Sequence, residues 1–244
     1  METILSDMDD VEVYIDNIGI FSNDWESHVT TINKVCRRLQ EKNFVINPLK
    51  CEWAVQETDW LGYWLTPIGL KPWQKKVQPI LDLQAPKNVK ELRSFIGAIN
   101  FYCNMYQWRS HVLAPLTALT KTPKGQKLPW SDIEEKAFQE AKAMIARDTL
   151  MRYPDHNKPF HIFADASDFQ LGAAIFQDGH PVAFYSRKLN SAQRNYTTIA
   201  KELLSIVQTL KEYWTTLLGC RELHIHTDHC NLTGTCFNTQ RIQR

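Results

Sequence analysis

Residues 161–186 read HIFADASDFQLGAAIFQDGHPVAFYS, and the fold turns on them. HIFAD (161–165) predicts a short strand closing on Asp165. LGAAIFQ (171–177) and PVAFYS (181–186) flank Asp178-Gly179, a dipeptide that favours a tight hairpin turn because both residues tolerate positive φ. Downstream, the periodicity predicts a long amphipathic helix from Tyr196 to Leu218. ELHIHTD (222–228) predicts another strand, ending on Asp228. The order is β-hairpin, helix, strand.

The apolar stripe of that helix is Ile199, Leu203, Ile206, Val207, Leu210, Trp214 and Leu217, clustered within about 100° of arc. Glu202 falls roughly 85° from the centre of the stripe, at the edge of the face expected to pack on the sheet. Strand-end Asp165, helix-edge Glu202 and strand-end Asp228 can therefore meet at one corner. Converging carboxylates repel one another unless a cation lies between them. Hard divalent ions suit oxygen ligands, and two of them can clamp the attacking and leaving oxygens of a phosphodiester. From spacing alone the same acids also suit a plainer role, closing strands and facing solvent.

Toward the N-terminus, VEVYIDNIGIFS (11–22) alternates as a β-hairpin with Asp16-Asn17 at its turn. Val29, Ile32, Val35 and Leu39 space a helix over 24–42, with Asn23 or Asp24 available as N-cap. CEWAVQETDWLGYWLTPIGL (51–70) is aromatic and strand-like, with a turn at Thr66-Pro67 and Ile68-Gly69. Asn88 with Glu91, and Ser131 with Glu134, form capping boxes for helices over 90–106 and 132–148. Boundaries are expected near 70 and near 128, where KTPKGQKLP breaks the pattern.

With 244 residues and 43% hydrophobic side chains, the chain can bury a real core, which excludes a mostly disordered protein. No stretch approaches the roughly 18 uncharged apolar residues of a membrane span, and the start, METILSDMDD, is acidic where a secretory signal is basic and then apolar. An intracellular protein, cytoplasmic or nuclear and without membrane association, is expected. The six cysteines lack a CxxC pair and are expected as reduced thiols. The net charge of +1 hides a segregation: residues 1–30 hold eight Asp/Glu and no Lys or Arg, whereas 71–130 hold ten Lys/Arg against Asp82 and Glu91 alone. Such a basic block suits a polyanion; a solvated helical surface is the plainer reading.

These motifs, in this order, resemble the pol polyprotein of gypsy-class LTR retrotransposons almost from end to end. YIDNIGIFS resembles the reverse transcriptase motif that presents two adjacent aspartates on a palm hairpin. NPLKCEW and DWLGYWLTPIGLKP resemble the end of the palm, and ELRSFIGAINFY and APLTALT the thumb. PWSDIEEKAF, FADASDFQLGAAIFQ, AFYSRKLNSAQRNYTTIAKELLSIV and HTDHCNLT resemble the tethered ribonuclease H domain. The resemblance implies an α/β (α+β) chain: a partial palm over 1–70, a basic helical thumb over 71–128, and over 129–244 an RNase H-like mixed sheet flanked by helices and incomplete at its C-terminus. It implies that Asp165, Glu202 and Asp228 are catalytic metal ligands for two Mg²⁺ ions, or Mn²⁺, that cut RNA in an RNA–DNA hybrid, with no small-molecule cofactor. It also implies that Lys71, Lys75, Lys76, Lys87, Lys90 and Arg93 grip nucleic-acid duplex.

Two departures temper this. Asn17 stands where the family has a second aspartate beside Asp16, and it brings no charge to a cation site; the fingers and an upstream palm strand are expected before the first residue. The family's fourth acid is expected beyond Arg244. The chain is therefore expected to lack polymerase activity and to show weak or no ribonuclease H activity, as a remnant of the parent enzyme. The alternatives are a non-catalytic nucleic-acid-binding relic and an inert, poorly folded fragment. Among weaker signals, His224, His226, His229, Cys230 and Cys236 lack the usual spacing of structural zinc ligands. Asp168 reads as a solvated turn residue, and Trp53, Trp60, Trp64 and Trp73 as packing groups rather than base-stacking ones.

Overall fold

The computed structural model describes residues 2–123, 125–228 and 232. The chain divides into two compact units, residues 1–60 and 61–244.

The first unit contains α1 (Glu2–Leu5), β1 (Val11–Tyr14), β2 (Asn17–Ile20), α2 (Trp25–Glu41), a 3-10 turn at Pro48–Lys50 and β3 (Thr58–Trp60). β1 and β2 form the expected antiparallel hairpin, but Tyr14 pairs with Asn17. The turn is thus Ile15-Asp16 rather than Asp16-Asn17, because the backbone of Asn17 is already committed to the ladder. Ile15 takes a φ of 57°, a conformation that a β-branched residue adopts only under strain. Asp24 caps α2, accepting from the Ser27 N–H at 2.8 Å. Leu5, Val35 and Leu39 form a small core, with Met8, Val11, Val13, Ile18 and Ile20 packed against it. Arg38 of α2 reaches back to both carboxylate oxygens of Asp7, its Nη2 lying 2.6 Å from Oδ2.

The second unit begins with β4 (Tyr63–Thr66) and β5 (Gly69–Pro72), followed by α3 (Gln74–Leu81), α4 (Val89–Phe101), α5 (Arg109–Val112), α6 (Ala114–Leu119), α7 (Asp132–Ile145) and β6 (Met151–Arg152). β5 pairs antiparallel with both β4 and β6. Val77 of α3, Leu92, Phe95 and Ile99 of α4, Leu116 of α6, and Phe138, Ala141 and Ile145 of α7 share one core, which therefore runs across position 128. α7 has the capping box read from Ser131 and Glu134. α4 is capped by Asn88 but stops at Phe101, short of the expected span. The chain leaves the helix there, and the Asn104 carbonyl accepts from the Phe184 N–H at 2.8 Å.

The remaining elements are β7 (Phe160–Ala166), β8 (Gln170–Gln177), β9 (His180–Lys188), α8 (Ser191–Arg194), α9 (Thr198–Glu212), α10 (Trp214–Leu217) and β10 (Leu223–His226). They build a sheet of order β10-β7-β8-β9. β7, β8 and β9 are antiparallel neighbours, and β10 lies parallel to β7. Asp178 and Gly179, at φ 49° and 75°, make the turn that their dipeptide predicts. A second core lies between the sheet and α9, with Phe160, Ile162, Leu171, Ile175 and Ile206 at its centre. The single helix expected over 196–218 is broken at Tyr213, whose hydroxyl donates to the Phe184 carbonyl at 2.7 Å. Among the described residues no helix is long and apolar enough to cross a membrane, and Cys36, Cys51, Cys103 and Cys220 are free thiols.

Candidate active site

Asp165 is the sixth residue of β7 and stands opposite Gly172 of β8. On the other side, the parallel register runs from Phe160–Leu223 to Phe163–His226. β7 runs on two residues past that pairing to Asp165, and the chain runs on two residues past β10 to Asp228. Both aspartates are exposed. The parallel pairing thus brings the two strand-ending acids to the same end of the sheet.

Glu202 arrives from α9 by a route different from the expected one. The buried residues of α9 are Lys201, Glu202, Ser205, Ile206 and Thr209, whereas Ile199 and Val207, in the apolar stripe, are exposed. Trp214, also in that stripe, lies in α10 and is exposed. Glu202 is thus on the packing face itself, only 3% exposed, rather than at its edge. The reason is close approach: the Ser205 hydroxyl donates to the Gly172 carbonyl at 2.9 Å, and Thr209 turns its hydroxyl onto the Ser205 carbonyl at 2.8 Å. Small polar side chains let the helix backbone approach the sheet where Leu or Ile would hold it off. Glu202 Oε1 then accepts from the Ala166 N–H at 3.0 Å, one residue past Asp165.

Beside it, Lys201 is almost fully buried, and its Nζ lies 2.7 Å from Asp168 Oδ1. This hydrogen bond and the charge of Lys201 hold the Asp168 carboxyl below its ordinary range. Asp168 is exposed, as expected of a turn residue, but it also pins the 167–169 turn to α9. Lys201, Ser205 and Gly172 are the residues that the sequence reading missed. The signal that could have found them is the 201, 202, 205, 206, 209 spacing, a helical face in its own right made mostly of polar residues.

Three oxygen donors of this kind suit a hard divalent cation. By strand alternation Asp165 belongs to the sheet face turned away from α9, whereas Glu202 comes from the α9 side, so the two face one another only around the end of β7. Accordingly, among the described residues no group of three His, Cys, Asp or Glu is close enough to hold a metal ion. Of the residues in the weaker zinc signal, His224 and His226 are on β10, while His229, Cys230 and Cys236 lie outside the described residues.

Asp16 and Asn17 are both exposed, at the hairpin turn and the first position of β2. In the basic segment, Lys75, Lys76, Lys87, Lys90 and Arg93 are exposed. Lys71 is half-buried and pairs with Asp148 at 3.3 Å; Arg93 donates to the Thr120 carbonyl at 2.8 Å; and Lys75 lies over the Trp73 ring. Trp60, Trp64 and Trp73 are partly buried, and Trp53 is half exposed.

Residues 130–225 match the family model of the RNase H-like domain found in reverse transcriptase. Curated relatives include the retrovirus-related Pol polyprotein from transposon 297 of Drosophila melanogaster, 38% identical over 218 residues, covering 89% of this chain and 20% of the relative. The Pol polyprotein from transposon opus, of the same organism, is 34% identical, covering 91% of this chain and 23% of the relative. The transposon Tf2-7 polyprotein of Schizosaccharomyces pombe is 32% identical, covering 98% and 18%. The chain thus spans about a fifth of the length of these relatives. Among solved structures, a foamy viral protease-reverse transcriptase in complex with RNA/DNA hybrid superposes with a TM-score of 0.82 at 20% identity, covering 95% of this chain and 32% of that one. The dRH form in complex with double-stranded DNA gives 0.84 at 21% identity, covering 95% and 42%. Along most of its length the chain is thus similar to part of retrotransposon Pol polyproteins, and its mixed α/β fold is that of these reverse transcriptase structures, with an RNase H-like domain over 130–225.

Proposed function

We propose that the end of the sheet bearing Asp165, Glu202 and Asp228 is a divalent-cation-dependent nuclease site acting on the RNA strand of an RNA–DNA hybrid, in a chain of gypsy-class origin. In this reading 1–70 is the end of a reverse transcriptase palm, 71–128 a thumb and 129–244 the RNase H-like domain. The observation that carries it is the Glu202–Ala166 hydrogen bond, which anchors a buried helix carboxylate at the strand end where Asp165 and, by parallel register, Asp228 emerge.

The three carboxylates would hold Mg²⁺ or Mn²⁺, which when bound supplies charge neutralisation at the phosphate and a more acidic water. The protein's own part is positioning. Glu202 is fixed by the Ala166 N–H, and the turn beyond Asp165 is pinned by the Lys201–Asp168 pair. The exposed Lys75, Lys76, Lys87, Lys90 and Arg93 bind the phosphate backbone, which carries affinity without sequence preference. Foamy viral structures solved with RNA/DNA hybrid and with double-stranded DNA support duplex as the ligand class. Asn17, which lacks the charge of a second palm aspartate, supports a chain without polymerase activity.

The separation of the three acids favours a second reading, a duplex-binding protein that cuts little or nothing. Cleavage of a labelled RNA–DNA hybrid in Mg²⁺ and then Mn²⁺, beside the Asp165→Asn/Asp228→Asn double variant, decides between them. Metal-dependent cutting by the parent chain alone supports the nuclease. Binding by both chains without cutting supports the second reading.

A further inference from the structure

On the sheet face turned away from α9, alternate positions of β7 carry His161 and Phe163, and their register partners on β10 are His224 and His226. The rings form a connected stack. His161 lies on His224 with centroids 4.9 Å apart and planes 11° apart. His226 lies on Phe163 at 4.4 Å and 10°. Across the diagonal, His161 Nδ1 and His226 Nε2 face each other at 3.1 Å. His224 is engaged elsewhere, its Nε2 being 2.8 Å from Glu222 Oε1.

We propose that His161 and His226 form a binding site for a borderline transition-metal ion, Zn²⁺, Ni²⁺ or Cu²⁺, that bridges β7 and β10. The proposal is independent of the nuclease reading. Two imidazole nitrogens bound to one such ion at about 2.0–2.1 Å stand roughly 2.9 Å apart at a right angle and roughly 3.3 Å apart at the tetrahedral angle. The observed 3.1 Å lies between these values. The separation of the nitrogens thus needs no movement of the strands, and each ring turns by roughly 35–45° to aim its lone pair at the ion rather than at the other nitrogen. Two neutral imidazoles this close share one proton, since one nitrogen must donate and the other accept. The ion takes the place of that proton: the donor ring passes to its other tautomer, its proton moving by way of solvent to the far ring nitrogen, so that each neutral ring gives one lone pair.

The two side chains are also kept close before any ion arrives, because strand register fixes their backbones, which reduces the ordering cost of binding. Imidazole ligands select Zn²⁺, Ni²⁺ and Cu²⁺, whereas carboxylates select Mg²⁺ and Mn²⁺. The histidines within the sheet are thus chemically distinct from Asp165 and Asp228 at its end. No third side chain among the described residues completes the histidine site, so water fills its other positions and the ion exchanges readily. Such an ion clips together strands whose continuations carry the two aspartates, and it raises the stability of the native state by mass action.

The test uses the full, untagged chain on a Ni²⁺-iminodiacetate resin, whose metal keeps open positions, and in calorimetric titration and thermal melts with Zn²⁺. The parent chain is expected to be retained until imidazole is added, to bind Zn²⁺ and to melt at higher temperature with it. His161→Gln and His226→Gln, each verified as folded by circular dichroism, are each expected to abolish retention and the melting shift. His224→Gln and Asp165→Asn/Asp228→Asn are expected to keep both, which separates this site from the carboxylates. Retention that survives the His161→Gln/His226→Gln double variant overturns the proposal. So does retention that depends on His229 alone, or a folded parent chain that binds no Zn²⁺.

Discussion

Glu202 Oε1 on α9 accepts a 3.0 Å hydrogen bond from the backbone N–H of Ala166, the residue that follows Asp165 on β7. This contact between a helix side chain and a strand end is at once a packing device and the anchor of the candidate site, and the two roles separate by substitution. Glu202→Gln keeps an acceptor for the Ala166 N–H while losing the charge. It is expected to cost little stability but to lower hybrid cleavage by about 10²-fold or more, the scale on which single electrostatic groups act in such sites. Glu202→Ala is expected to cost about 1.5–3 kcal/mol as well, because the anchor is a hydrogen bond to a charged group. Paired denaturation curves and cleavage rates read both.

Gly69 tests the strands of the second unit. A Cβ at this position would stand 2.1 Å from the Met151 carbonyl oxygen, a backbone atom that β5–β6 pairing holds in place. Gly69→Ala is expected to destabilise by about 3 kcal/mol, at the upper end of the overpacking range. Gly97, with open space around its Cβ position, is the control: Gly97→Ala within α4 should be neutral or stabilising by up to about 1 kcal/mol. Urea unfolding followed by circular dichroism checks both.

The first unit carries an acid-sensitive tie. The Arg38 guanidinium bonded to Asp7 lowers its carboxyl from 3.8 to about 2. A carboxylate depressed on folding contributes stability that is fully present above its unfolded pKa and is lost as pH falls through the folded one. The Asp7 contribution should therefore be intact above about pH 4 and disappear toward pH 2. Asp7→Asn is expected to flatten this part of the stability–pH profile, and 0.5 M salt should reduce the contribution because the pair is exposed.

The Lys201–Asp168 pair should respond asymmetrically. Asp168→Ala leaves a nearly buried ammonium without its partner carboxylate, whereas Lys201→Met fills the same space with an apolar chain and frees an exposed acid. The expected order of melting temperatures is parent and Lys201→Met close together, with Asp168→Ala below both. The reverse order would show that Lys201 reaches solvent without help from Asp168.

Binding of hybrid duplex should be strongly salt-dependent. Replacing Lys75, Lys76 and Lys90 together by Gln is expected to reduce the slope of log affinity against log salt by up to about 2.7, roughly 0.9 for each phosphate that the variant no longer neutralises. The Asp165→Asn/Asp228→Asn variant should leave that slope unchanged. Filter binding at 50–300 mM salt gives the measurement.

What the sequence determined by itself was local. The Asp178-Gly179 turn, the capping of α2, α4 and α7, and the alternation of β7 are set by residues within a few positions of one another, so their spacing carries the information. The order of motifs likewise identified the RNase H-like fold. Tertiary structure decided everything that depended on approach between distant segments. α4 stops at Phe101 where the Asn104 carbonyl is taken by Phe184, and Tyr213 breaks the last long helix to reach the same residue. The packed face of α9 is mostly polar, because Ser205 is small enough to sit against the β8 backbone and donate to the Gly172 carbonyl, where a larger apolar side chain would hold the helix off. His161 and His226, 65 residues apart, face each other only because β10 runs parallel to β7. Hydrophobic periodicity records how a helix could bury its apolar side, but the shape of the surface it meets selects the side that is buried.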